Sequence, residues 1–207
     1  MALLTAHGLA CRRGDRLVFE DVGFALEPGG LLRIAGPNGS GKTSLLRLVA
    51  GLAPAAAGRI EWQGAAGDTG SEWRRQLRFL GHLDALKPVL TVRENLAAAA
   101  GLAGLADPAI AEAIRRLALD ALADLPVRFL SAGQRRRAAL ARLALGPAAL
   151  WLLDEPTTHL DGAGVAAFLA LVAEHRQRGG MALVATHDDL ALAPSGRLAL
   201  GQPRAAP

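Results

Sequence analysis

The sequence predicts an α/β fold built on a mostly parallel sheet, with a helical segment inserted into it. Three observations lead there. Leu150–Leu153 and Met181–Ala185 are short, unbroken apolar runs, as parallel strands buried on both faces require. Leu31–Ile34 is a third such run, and it passes through a glycine-rich loop straight into an amphipathic stretch, Lys42–Val49. From Thr91 to about Leu145 the chain turns Ala- and Leu-rich and is punctuated by helix caps.

Each element has its own local reason. Val22–Leu26 alternates like a half-buried strand, and Glu27-Pro28-Gly29-Gly30 turns the chain before Leu31–Ile34. Gly51 stands where it can close the Lys42–Val49 helix. Arg59–Gln63 alternates again, and Gly64–Gly70 reads as a flexible loop. Thr91-Val92-Arg93-Glu94 is a capping box opening the first inserted helix. Asp107-Pro108 puts a cap and a first-turn proline in the right order for a second, expected to run to about Asp124 and to be stopped by Pro126. Ser131 caps a third, expected to reach Leu145 and end at Gly146-Pro147. Asp161–Arg178 reads as a last helix, ended by Gly179-Gly180.

Composition narrows the class. With 207 residues the chain has room for one well-buried domain, and 51% hydrophobic with 20% charged residues excludes disorder as its main state. The lone Cys11 excludes a disulfide framework or a Cys-rich zinc site and points to a reducing cytosol. Mean hydropathy is high at +0.25. Even so, the longest apolar stretches, Asn95–Ala106 and Leu143–Leu153, fall short of the ~18–20 residues a bilayer span needs. Cys11-Arg12-Arg13-Gly14-Asp15 interrupts any leader-like hydrophobic core, so neither a signal peptide nor a membrane span is expected. The net charge of +4 could suit nucleic acid or an anionic membrane. However, of 23 basic residues only Lys42 and Lys87 are lysine, which favours a compositional arginine bias over a binding patch. No nucleic-acid partner is expected.

Chemistry concentrates in a few motifs. Gly36-Pro37-Asn38-Gly39-Ser40-Gly41-Lys42-Thr43 matches G-x-x-x-x-G-K-[ST] in full, between a strand and a helix. Its glycines let backbone N–H groups turn inward onto phosphate oxygens at a helix N-terminus. Lys42 then adds a point charge on the β- and γ-phosphates, and Thr43 offers a hydroxyl to Mg²⁺. Leu150–Leu153 ends in two acids, Asp154 and Glu155. A buried strand would present both beside the phosphate loop, Asp154 to hold Mg²⁺ and Glu155 to polarise an attacking water.

Leu130-Ser131-Ala132-Gly133-Gln134 differs by one residue from the Leu-Ser-Gly-Gly-Gln signature of the ATP-binding-cassette ATPases, which the chain resembles from about Leu3 to Leu200. Arg135-Arg136-Arg137 and Leu140-Ala141-Arg142 follow as in that family, Pro156–Asp161 resembles its D-loop, and Ala185-Thr186-His187-Asp188 its switch-histidine strand end. The resemblance implies a P-loop NTPase fold of the ABC nucleotide-binding type over 1–207. A core with an N-terminal antiparallel β-subdomain would take 1–86 and 146–207, and a helical signature subdomain 87–145. It implies ATP and Mg²⁺ as cofactors, Glu155 and His187 as catalytic residues, and a nucleotide sandwich. In that sandwich Ser131, Ala132, Gly133 and Gln134 of one copy complete the γ-phosphate site of another, with Asp161 in the D-loop.

Two positions depart from the family pattern. The aromatic residue that usually stacks on adenine is replaced by Arg13, whose guanidinium can lie on a base face. The Q-loop glutamine is replaced by His82, a poor direct ligand for Mg²⁺ and so expected to act through water or to sense a partner. Phe79–Pro88, Leu90–Leu96 and the Cys11-Arg12-Arg13 opening resemble the ATP-binding subunits of the haem-handling exporters of cytochrome c maturation. That implies polytopic partners of the CcmB and CcmC kind, a peripheral place on the cytoplasmic face of the bacterial inner membrane, and hydrolysis that drives release of a haem-loaded chaperone. No direct haem binding is expected, since His7, His159 and His175 form no ligand pattern and read as surface or loop histidines. Two other readings share the motifs: the ATPase of a different small transporter, and a soluble cassette protein acting on ribosomes or nucleic acid. The second usually carries two cassettes in one chain, and this chain has room for one.

Overall fold

A computed structural model of the chain describes residues 3–63, 65–66, 74–102, 104, 108–188 and 190–201. The chain divides into two compact units, the first made of Met1–Phe79, Ala149–Glu155 and His175–Pro207, the second of Leu80–Ala148 and Pro156–Glu174.

The first unit carries the sheets. β1 (Leu4–Arg13), β2 (Arg16–Leu26), β4 (Ala57–Trp62) and β5 (Ala65–Ala66) pair in the order β2-β1-β4-β5, antiparallel throughout. β3 (Leu31–Ala35), β6 (Leu77–Leu80), β7 (Leu150–Asp154), β8 (Met181–Ala185) and β9 (Gly196–Ala199) form the other sheet, ordered β6-β7-β8-β3-β9, with β7, β8, β3 and β9 parallel. Every residue of β7 and β8 is buried, which is what their unbroken apolar runs require. α1 (Lys42–Val49) seats Leu45, Leu46, Leu48 and Val49 in a core with Leu4, Leu9, Ile34, Leu152 and Leu183. The antiparallel strands had only partial signals. β1 gives no clean alternation because its ladders shift register between Ala6 and Leu9 and again around Cys11. Gly64–Gly70 contains the short strand β5; its remaining residues lie outside the described ones.

The second unit is helical. α2 (Val92–Leu102) opens on the expected box, with Glu94 N donating to Thr91 Oγ1 at 3.1 Å and Thr91 N to Glu94 Oε2 at 2.8 Å. Buried Asn95 knits the preceding loop, accepting from Lys87 N and donating to the carbonyls of Lys87, Leu90 and Thr91. α3 (Pro108–Arg116) begins at the expected proline, while its Asp107 cap lies outside the described residues. It stops well before Asp124. Ala118 takes φ 50°, Leu119 N reaches Ile114 O and Ala118 N reaches Arg115 O, a Schellman ending that turns Leu117 and Leu119 inward. Ala118 carries no termination signal in the sequence, and burial of the two leucines ends the helix short of Asp124. α4 (Ala132–Ala141) likewise gives way at Arg142 to a 3-10 turn, Arg142–Leu145, before Gly146. α5 (Gly162–Gln177) is the helix expected from Asp161, and its residues up to Glu174 belong to this unit.

Candidate phosphate-binding site

β3 delivers the chain into the glycine loop at the carboxyl edge of the parallel sheet. There Ile34 is level with Ala185 of β8, and Ala185 with Asp154 of β7. Sheet register alone therefore brings Gly36, Glu155 and Thr186-His187 out at one edge. The loop fits only glycine at two points. Gly36 has φ 151°, and a Cβ there would stand 2.5 Å from Leu200 O and 2.6 Å from Ser40 Oγ. Gly41 has φ 102°, and its Cβ would stand 2.7 Å from Val18 Cγ1 and 2.8 Å from Phe19 Cδ1. As the N-cap of α1, Gly41 brings no side chain to cap the helix. The leftover N–H groups of the first turn and the positive end of the helix dipole are thus offered to an anion. Ser40 Oγ is buried without a hydrogen-bond partner among the described residues, a cost that a phosphate oxygen would relieve.

Charged groups gather around this loop. Lys42, 7% exposed, donates to Gly36 O at 2.7 Å and Pro37 O at 3.3 Å, and its Nζ lies 2.8 Å from His187 Nε2. An ammonium only donates, so in this contact Nε2 accepts, with the imidazole proton on Nδ1. The same nitrogen is 2.9 Å from Asn38 Oδ1, an acceptor served by the other tautomer, with the proton on Nε2. His187 Nε2 is 3.5 Å from Glu155 Oε1, and His187 N donates to Glu155 Oε2 at 3.4 Å. Glu155 holds φ 45°, a left-handed backbone uncommon outside glycine and typical of functional positions, while its N–H still pairs with Ala185 O at 2.8 Å. Thr43 Oγ1 donates to Asp154 Oδ2 at 2.8 Å, and Asp154 is 2% exposed. A hydroxyl and a carboxylate so placed are the hard oxygen donors Mg²⁺ takes alongside its waters. Arg33 of β3 steadies the far side by donating to Asp188 O at 2.6 Å.

A family model described as ABC transporter matches residues 19–158. The chain belongs to the ABC transporter ATP-binding family. It is an ATPase of that family, and ATP is its nucleotide. Cytochrome c biogenesis ATP-binding export protein CcmA of Rhodospirillum rubrum is 50% identical over 201 residues, covering 96% of this chain and 86% of that protein. The protein named CcmA 2 of Cupriavidus metallidurans is 50% identical over 192 residues, 91% of each. Among solved structures, an ATP-binding subunit of an ABC transporter matches with a TM-score of 0.81 at 27% identity, covering 89% of this chain and 79% of that one.

The remaining ABC motifs fall as follows. Arg13, in the first unit, is the last residue of β1, exposed and opposite Arg16 across the hairpin. Ser131, Ala132, Gly133, Gln134, His82 and Asp161 belong to the second unit. Ser131 and Gln134 form a full capping box, Ser131 Oγ accepting from Gln134 N at 3.2 Å and Gln134 Oε1 from Ser131 N at 2.8 Å. Gly133 packs against the D-loop so closely that a Cβ would lie 2.6 Å from His159 O. Asp161 Oδ1 accepts from Gly164 N at 2.8 Å, capping α5, and His82 is exposed.

Two residues stand out only in three dimensions. His175 is not a surface histidine. It is 9% exposed, stacked on Trp151 with ring centroids 3.9 Å apart and planes 5° apart, and its Nε2 donates to Met181 O at 2.9 Å. Burial lowers its pKa below the ordinary imidazole value, and a Cβ on Gly180 would overlap the ring. Arg136, read only as one of three arginines, is 3% exposed. The fold separates it from Arg135 and Arg137 by placing it with Ala139 and Leu140, at i, i+3 and i+4, on the buried face of α4.

Proposed function

We propose that this ATPase energises an export complex of cytochrome c biogenesis, the haem exporter, and that its hydrolysis drives release of a haem-loaded chaperone. The observation that carries the hydrolytic site is the meeting of Lys42, Asn38, Glu155 and His187 at one edge of the sheet, beside the Thr43–Asp154 pair. The export reading is supported by identity to cytochrome c biogenesis export ATPases along nearly the whole chain.

The chain acts as a single ABC ATPase domain. Backbone N–H groups of Gly36–Thr43 cradle the phosphates and Lys42 neutralises the β- and γ-oxygens. Thr43 and Asp154 hold Mg²⁺, which when bound spreads the charge that develops on the transferred group. Glu155 takes a proton from the attacking water, and His187 orients that carboxylate and the γ-phosphate. Arg13 lies on the adenine face, an interaction worth ~0.5–2 kcal/mol. A second copy supplies Ser131, Ala132, Gly133 and Gln134 to close the site, with Asp161 of the D-loop beside it. His82, in the glutamine's place, reports on membrane partners of the CcmB and CcmC kind. Exposed Leu83, Val89 and Phe129 in its unit, 80%, 67% and 66% accessible, support docking of an apolar partner surface there. As the ATPase of an export complex, the chain works peripherally, on the cytoplasmic face of the inner membrane. Among the described residues no helix is long and apolar enough to cross a membrane.

A tagged Glu155→Gln chain pulled from solubilised native membranes with Mg-ATP tests this. Co-purifying polytopic proteins with a haem Soret band are expected. Ribosomal proteins or an unrelated permease would leave the ATPase standing and overturn the export assignment.

A further inference from the structure

Arg136 is a charge placed where charge is expensive. It lies on the inward face of α4, 3% exposed, and a buried guanidinium is tolerated only when its N–H groups find acceptors. Those acceptors come from two separate loops. Nη1 donates to Gly81 O at 3.0 Å and to Asp84 Oδ1 at 3.1 Å, while Nε donates to Pro156 O at 3.1 Å. Asp84 is the counter-ion, with its side chain 26% exposed. All four residues belong to the second unit.

The position of these acceptors along the chain gives the cluster its meaning. Gly81 is the residue before His82, and Asp84 follows two residues after it. Pro156 follows Glu155 directly, and its ring fixes φ, so the carbonyl that Arg136 holds is a single soft torsion away from the peptide plane joined to that glutamate. A leucine or methionine would pack α4 without any desolvation cost, whereas a planar fork of donors reads the position of both loops at once.

We propose that Arg136 is a positioning residue for hydrolysis, tying the partner-facing 81–84 segment to Pro156, the residue after Glu155, so that the carboxylate is set only when both loops are in register. This rests on Glu155 being the base. Lysine cannot replace the guanidinium, because a single ammonium on a flexible stem cannot span the Gly81 and Pro156 carbonyls together.

Arg136→Lys and Asp84→Asn in the full chain, assayed in the complex it forms with its membrane partners, test the assignment beside Glu155→Gln. Both are expected to keep ADP affinity and the KM for ATP within about twofold while kcat falls about tenfold to a hundredfold, the effect of a slightly misplaced catalytic group. Asp84→Asn keeps an acceptor of the same shape and serves if Arg136→Lys does not fold. Unchanged kcat in a folded variant overturns the proposal. So does a loss of KM, kcat and melting temperature together, which marks a purely structural role. If Glu155→Gln itself turns over like the parent, the base assignment fails instead, and the two failures are told apart.

Discussion

Lys42 shows how one side chain takes its role from partners far along the chain. The P-loop spacing placed it at a phosphate, and the fold adds that its ammonium already donates to two loop carbonyls and to His187, 145 residues away. Phosphate oxygens therefore compete with acceptors the protein provides, and the lysine is pre-aimed rather than searching solvent. Lys42→Ala removes the charge while leaving Gly36 and Gly41 to shape the loop. Nucleotide affinity should fall by about tenfold or more, as for loss of a charge-assisted hydrogen bond, with the melting temperature little changed. Fluorescent-nucleotide titration beside a thermal melt checks both, and undiminished affinity would remove Lys42 from the site. At this same scale Asp154 and Glu155 were legible as a pair, because a strand ending in two acids is a local pattern. Arg136 was not, since three consecutive arginines look alike until a fold buries one of them.

Elements were legible wherever their ends carry local chemistry. The Thr91 capping box, the Ser131 cap and the glycine that follows α1 act within a few residues, and the structure forms all three. The end of α3 has no such local mark, because tertiary burial of Leu117 and Leu119 draws the chain into a left-handed turn at Ala118. His175 has a consequence for the whole of α5. Folding lowers its pKa, chiefly through burial, so the neutral ring is the form the Trp151 stack accepts. Above an ordinary imidazole value of about 6.5 both folded and unfolded states are neutral there and the stabilisation is complete. As pH falls below that value the unfolded state binds the proton first, and stability is lost on approach to the depressed folded pKa. The melting temperature should drop between about pH 7.5 and about pH 5.5. His175→Phe, which keeps a flat ring on Trp151, should show a shallower drop. Equal slopes for parent and variant would exclude this histidine as the source.

Taken whole, the sequence carries one phosphate loop and one signature motif, the loop in the first unit and the signature helix in the second. If two copies complete each other, damage to different halves must complement. A Lys42→Ala chain mixed with a Ser131→Arg chain forms some heterodimers in which one site combines an intact loop with an intact signature. Each variant alone should be nearly inactive, and the equimolar mixture should recover a substantial part of one site's turnover. No recovery in a mixture shown by tandem tags to contain heterodimers would argue that each chain completes its own site.

By itself the sequence determined the α/β class, the phosphate loop, the acids at the end of β7 and most helix starts, because each is encoded within a few residues. The parallel strands were equally plain, since burial on both faces leaves an unbroken apolar run. Tertiary structure decided the rest. It joined Thr43 to Asp154 across 111 residues and Arg136 to Gly81 across 55. It also turned His175 from a surface reading into a core ring on Trp151. It broke the alternation of β1 through shifts in register that no local pattern announces. The physical reason is one of range. Caps and loops are satisfied by neighbours in the chain, whereas a buried charge or ring is satisfied only by what the fold brings to it.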